Sequence, residues 1–173
     1  MPGGGVYYVG RSCLLYVDID HIATLRKVRG GNKPDFVEGA ILCEKSGCDG
    51  ITVHLREDRY RDVIEIKNVI RRKLNLQMGF SNDIIDLTKK IKPNLITIIS
   101  KKSGKITIEG GLDVRKNMSK IKDTVNLFHD QNTLVSLCIE VDIETIDLSK
   151  KCAVNKIEIN KGIDRNTIMQ TIL

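Results

Sequence analysis

Short apolar runs rich in β-branched residues alternate along the chain with stretches of helical period. The runs are Leu14–Ile19 (LLYVDI), Gly50–Leu55 (GITVHL), Lys73–Met78 (KLNLQM), Leu95–Ile99 (LITII), Leu134–Ile139 (LVSLCI) and Lys156–Ile159 (KIEI). Each has strand length, and several are near-continuously apolar, as parallel strands covered by helices are. Between them, Asp35 after Pro34 predicts a capped helix to about Ser46, with Gly47 as its stop. Ser81 or Asn82 opens a second helix carrying Ile84–Ile91 and ended by Pro93. From Asp113 onward, Val114, Met118, Ile121, Val125 and Phe128 recur at the spacing of a helix facing a core. Asp142 begins another helix through about Cys152. Residues 1–13, rich in glycine, read as a flexible leader, and 14–173 as one domain.

Strand and helix in repeated alternation mean an α/β protein with a parallel sheet. Two architectures compete: a doubly wound open sheet and a (β/α) barrel. No G-x-G-x-x-G follows the first strand, which removes support for the dinucleotide-binding open sheet. Polar groups gather where strands end: Asp18, Asp20 and His21 after the first, His54 and Arg56 after the second, Glu158 and Asn160 in the sixth. A barrel builds its sites at successive strand tips in this way. Eight barrel units take about 250 residues, roughly 31 each. A chain of 173 residues therefore holds between five and six. The expectation is an incomplete TIM (β/α) barrel with about six of eight βα units, the seventh and eighth strands having no counterpart in the sequence.

Charge and composition narrow the partners. With four Tyr, three Phe and no Trp, the chain has few base-stacking surfaces, so nucleic acid is not expected as a partner despite the net charge of +6. Lys101-Lys102 and Arg71-Arg72-Lys73 are short enough to be solvated faces, while a basic balance also steers small phosphates into a cleft. The five cysteines contain no Cys-x-x-Cys, and none has zinc-finger spacing to a histidine, which favours a reducing cytoplasm and no metal. Cys43 and Cys138 read as small buried hydrophobes. Arg11 interrupts the apolar stretch of a poor signal peptide, and no run reaches the ~18 residues of a membrane span.

Three segments carry candidate chemistry. In VDIDHIATLRKVRG, Asp18 and Asp20 flank Ile19 and would point to one side of a strand, with His21, Arg26 and Arg29 following in a short helix or loop. Such a set can hold a hydroxyl-rich phosphorylated ligand. The alternative is a strand end whose Asp caps the next turn, and residue types weigh the two about evenly. In DGITVHLRED, His54 occupies the last inward-capable strand position, two residues before Arg56. A lone histidine there is more often a hydrogen-bonded core residue, but the charged cluster after it favours a proton shuttle. In TIEGGLDV, two glycines before a helix can bring the backbone to an anion, with Thr107 as a hydroxyl donor, though Gly-Gly also makes ordinary loops.

Taken together, IDHIATLR with Arg29 and Gly30, GCDGITVHLREDR, LNLQM, TIEGGLDV, VSLCIE and IEIN closely resemble the pyridoxine 5′-phosphate synthase family, in order, from about Leu15 to Gly162. The resemblance implies a TIM barrel that condenses 1-deoxy-D-xylulose 5-phosphate with 3-amino-2-oxopropyl phosphate, releasing phosphate and water. It implies a cytoplasmic homo-oligomer needing no metal or organic cofactor. By position, His54 would be an acid–base residue and Glu158 would stabilise a transition state. Asp20, His21, Arg56 and Thr107 would hold the deoxyxylulose phosphate, and Arg29 with Asp18 the amino ketone phosphate.

The chain departs from this pattern in four places. Gln77 stands where the family has a proton-accepting glutamate, and Asp18 where it has asparagine. The loop after HLREDR is about four residues shorter and lacks a substrate-binding histidine. IEINKG replaces IEIHTG in the sixth strand, and the last two barrel units, with a third catalytic histidine, have no counterpart. These departures keep a second expectation open, an inactive remnant or a non-enzymatic protein that associates with itself.

Overall fold

The computed structural model describes residues 13–100, 110–140 and 142–160. Six strands, β1 (Tyr16–Asp18), β2 (Gly50–His54), β3 (Lys73–Met78), β4 (Leu95–Ile98), β5 (Leu134–Ile139) and β6 (Lys156–Ile159), alternate with helices. The helices are α1 (Asp20–Arg29), α2 (Phe36–Lys45), α3 (Tyr60–Val69), α4 (Asn82–Ile91), α5 (Val114–His129) and α6 (Ile143–Lys151). A 3₁₀ turn, Glu57–Arg59, precedes α3. The expected leader, all but Cys13, lies outside the described residues.

The caps explain the helix boundaries. Asp35 accepts a hydrogen bond from the Glu38 N–H, Asp113 from Lys116 and Asp142 from Thr145, each satisfying a first-turn donor that the helix itself cannot. Gly47 follows α2 at φ 92°, where a side chain would be strained. Two readings change. The segment after β1 is a full helix, α1, closed by Gly30 at φ 64°. Asp20 is its first residue rather than a strand residue, so Asp18 and Asp20 do not share a strand face.

All strands are parallel, in the order β1-β2-β3-β4-β5-β6. Each crossover moves one strand over in the same direction, and right-handed crossovers then place every helix on the same face. A doubly wound sheet would reverse its order midway; this one is wound as a barrel.

The two sheet faces differ sharply. Ile51, Val53, Leu74, Leu76, Met78, Ile96, Ile98, Val135, Leu137 and Ile139 point to the helices and belong to the hydrophobic core. Their neighbours on the other face include Thr52, Asn75, Gln77, Thr97 and Ser136, buried but polar. The strands are therefore two-faced, with a dry layer under the helices and a polar concave surface.

One hydrogen bond demonstrates the curl. Gln77 Nε2 on β3 donates to Glu158 Oε1 on β6 at 3.2 Å. In a flat sheet these strands would lie about 14 Å apart, three spacings of ~4.8 Å. The sheet is a half-barrel, an incomplete α/β barrel. Its outer strands, β1 and β6, each pair on one side only among the described residues. Ile157 and Ile159 of β6 keep 38% and 36% of their surface exposed on the face that elsewhere packs against helices. No helix among the described residues is long and apolar enough to cross a membrane.

Candidate active site

The concave face carries a hydrogen-bonded polar band. Asn75 Nδ2 donates to Thr52 Oγ1 at 3.3 Å, and Thr97 Oγ1 donates to Asn75 Oδ1 at 3.1 Å. Thr97 also lies within hydrogen-bonding reach of Glu158, so its one hydroxyl proton is shared between two acceptors. Satisfying these groups against one another is what makes burying them tolerable. At the rim of the band are the strand-tip residues. His54, half-buried, ends β2 and stands beside Gln77 in register. Gln77 is buried and reaches Glu158.

Glu158 sits in a perturbed setting. Burial pushes its pKa up; the bond from Gln77 opposes this, the charge of Asp18 adds to it, and the bond from Thr97 opposes it again. Asp18 and Glu158 stand on opposite edges of the half-barrel, so their repulsion acts across the cleft. Beside Glu158 in register, burial and then the Glu158 charge push the Cys138 thiol up to about 11. That thiol is neutral at physiological pH.

Asp18 Oδ1 accepts from the Asp20 N–H at 2.9 Å, so it does cap the turn into α1. Its pKa is raised by burial first. The bond from Asp20 lowers it, Asp20's charge raises it, and His21 and Arg59 lower it. Asp20 has a different task. Its Oδ1 accepts from Arg59 Nη1 at 2.8 Å and from the His54 N–H at 3.1 Å, tying the tip of β2 to the start of α1. His21, on α1, is exposed.

Next to this tie lies an open depression of about 250 Å³, lined by Arg26, Lys27, Gly30, Gly31, Arg56 and Arg59 among others. Four basic residues line it against one carboxylate, Asp58, and two of the four are paired, Arg26 with Asp62 and Arg59 with Asp20. Arg29 is exposed at the end of α1 and does not line it. Thr107 lies outside the described residues.

Gly111 of TIEGGLDV packs closely against the end of β5. A side chain on Gly111 would come within 2.2 Å of the Glu140 nitrogen, and its N–H donates to Glu140 Oε1 at 3.2 Å. The first turn of α5 is already capped by Asp113. A larger depression there, about 410 Å³, is lined by Asp113, Glu140, Asp142 and Glu144 together with Arg115.

Three residues of the site escaped the sequence reading. Asn75 and Thr97 were legible only as polar residues interrupting apolar strands, and nothing local marks Arg59 as a buried charge. Of the expected residues, Asp18, His54, Gln77 and Glu158 converge on the concave face. Asp20 supports it from below, Arg56 lines the cationic depression, and His21 and Arg29 stand at the surface of α1.

Fold and site together define a half-barrel of the (β/α) type with a polar, carboxylate-bearing cleft at its strand tips. The family model for the pyridoxal phosphate biosynthesis protein PdxJ matches residues 15–164, and the chain belongs to that family. The pyridoxine 5′-phosphate synthase of Geotalea uraniireducens is 40% identical over 152 residues. That of Prochlorococcus marinus is 41% identical over the same length. Each alignment covers 86% of this chain and 64% of the relative, so the chain spans less than two thirds of the relatives it matches. Among solved structures, an N-acetylmannosamine-6-phosphate 2-epimerase from Clostridium perfringens superposes with a TM-score of 0.56 at 15% identity. That match covers 88% of this chain and 67% of the epimerase, a likeness of fold alone.

Proposed function

We propose that this chain carries pyridoxine 5′-phosphate synthase chemistry, condensing 3-amino-2-oxopropyl phosphate with 1-deoxy-D-xylulose 5-phosphate and releasing phosphate and water. The observation that carries this reading is the meeting of His54, Gln77, Asp18 and Glu158 in one cleft of a PdxJ-family half-barrel. His54 serves as the proton shuttle. Arg56, on the cationic depression, suits a phosphate because a guanidinium binds two oxygens at once. Arg29 and Thr107 are assigned to substrate phosphates by their position in the family motifs, and His21 to the deoxyxylulose phosphate. Asp20 serves that pocket indirectly, through Arg59 and the His54 backbone. No step of this scheme calls for a metal or organic cofactor. The protein acts in the cytoplasm, as the unpaired cysteine thiols favour, and as a homo-oligomer.

The test is to incubate the purified chain with both substrates and measure pyridoxine 5′-phosphate. Product above the uncatalysed rate supports the reading, and none overturns it. Among the described residues, the one-sided pairing of β1 and β6 and the exposed Ile157 and Ile159 favour a second reading, a protein that covers these edges by associating with a second copy. Sedimentation showing a monomer at micromolar concentration would dismiss it.

A further inference from the structure

We propose that Cys43 and Cys48 form a redox-active dithiol, which a small carboxylate-bearing disulfide oxidises to an intramolecular bridge. The site is separate from the strand-tip cleft and does not depend on the synthase reading. The end of α2 builds it. Gly47, at φ 92°, lets the chain double back on the helix. The Gly47 N–H donates to the Glu44 carbonyl at 3.1 Å, and the Cys48 N–H donates to the Cys43 carbonyl at 3.3 Å. Two such bonds, closing one inside the other, make a Schellman ending. In that ending the residue after the glycine and the third helical residue from the end frequently bring their side chains into contact. Here both positions are cysteine.

The side chains share one environment. Cys48 is buried in the hydrophobic core, and Cys43 is half-buried and packs against that core. Their nearness also shows in the Cys48 thiol. Burial raises its pKa most and a charge on Cys43 raises it next; the Gly50 N–H lowers it, Glu44 raises it and Arg72 lowers it. Beside the pair, between the ends of α2 and α3, an open depression of about 560 Å³ is lined by Ile41, Glu44, Lys45, Val69, Arg71 and Arg72. Its three cations face one carboxylate, Glu44, and an oxygen of that carboxylate already accepts the Arg71 N–H at 2.8 Å. Glu44 and Lys45 follow Cys43 directly in the chain. Fixed positive charge at this corner draws an anionic reagent to the thiols, which selects a disulfide with free carboxylates, of the glutathione type.

The exchange balances. The Cys43 thiolate, the more accessible of the two, attacks one sulfur of the small disulfide; a new S–S bond forms, the old one breaks and one small thiolate leaves. Cys48 then loses its proton and attacks Cys43 Sγ, expelling the second small thiolate. Proximity rather than acidity makes it the resolving thiol. Two protein thiols are oxidised to one disulfide, and one small disulfide is reduced to two thiols. The two protons from the cysteines end on the leaving thiolates. In a reducing compartment the dithiol is the resting form, and the bridge forms when the small-thiol pool becomes oxidised. The bridge ties the end of α2 to the approach to β2, at the opposite end of that strand from His54.

The test treats the reduced full chain with excess glutathione disulfide, blocks the remaining thiols with iodoacetamide and digests with trypsin. Cleavage after Lys45 separates the two cysteines, because Lys33 is protected by Pro34 and the peptides become Gly30–Lys45 and Ser46–Arg56. Mass spectrometry should find these two peptides joined, lighter than their sum by two hydrogens and released by dithiothreitol. The joined pair should vanish in C48S, which should instead trap glutathione on Cys43, while C43S should leave Cys48 free for alkylation after unfolding. Alkylation of both cysteines in the unsubstituted chain overturns the proposal. So does glutathione that stays on Cys43 of that chain, or a bridge from either cysteine to Cys13, Cys138 or Cys152. None of these results depends on whether the chain forms pyridoxine 5′-phosphate.

Discussion

The tie between Asp20 and Arg59 offers a quantitative test of how the site is supported. The Arg59 side chain keeps 8% of its surface exposed and that of Asp20 16%, with 2.8 Å between their charged atoms. The same Asp20 oxygen accepts the His54 backbone N–H at 3.1 Å. Asp20→Ala leaves a guanidinium buried without its counter-charge, which costs about 3–5 kcal/mol. It also orphans a backbone donor, a loss of about 1–3 kcal/mol that overlaps the first because the two bonds share one acceptor. Against a typical domain stability of about 5–15 kcal/mol, a loss of about 3–5 kcal/mol is a fifth of the whole or more. Adding Arg59→Met to Asp20→Ala removes the stranded charge and keeps the volume. The double variant should therefore recover most of the loss, leaving about 1–3 kcal/mol for the His54 N–H. Urea unfolding followed by circular dichroism, with an unchanged m-value, measures both. A single-variant cost below about 1 kcal/mol, or a double variant less stable than Asp20→Ala, would refute the reading of this pair as a buried support.

Other outcomes follow from the same structure. Gly111→Ala places a methyl within 2.2 Å of the Glu140 nitrogen and 2.6 Å of the Ile139 carbonyl carbon. Backbone rather than a mobile side chain must yield, so a loss of about 1–3 kcal/mol is expected in thermal unfolding. Asp35→Ala removes the cap on the Glu38 N–H and should cost about 1 kcal/mol by the same measurement. The pKa values of Asp18 and Glu158 are raised in the folded state. Folding therefore gains as pH falls through their raised values toward the ordinary carboxylate range, and that gain is lost as pH rises back through the raised values. Asp18→Asn should raise the urea midpoint at pH 7 and flatten that slope; an unchanged midpoint counts against repulsion across the cleft. Asp113 and Asp142 have lowered values, through bonds from Lys116 and Thr145, so their contribution is lost only in acid, as pH falls through those values.

Local order was plain in the sequence. KLNLQM and LVSLCI are strands with the bounds their residues suggest, and Asp35, Asp113 and Asp142 start the helices they announce. These features rest on neighbours within four residues, and a linear pattern records such neighbours directly. The strand-tip positions of His54 and Glu158 were equally legible, because alternation along a strand dictates which side a residue faces. The sequence left Asp20 on a strand, where the backbone turns into α1 after Asp18. What only the tertiary structure decided is which groups meet. Gln77 and Glu158 are 81 residues apart, and Arg59 and Asp20 are 39 apart. Their contacts arise from the curl of the sheet and the packing of its crossovers, which many weak burial terms determine together and no short stretch of residues encodes.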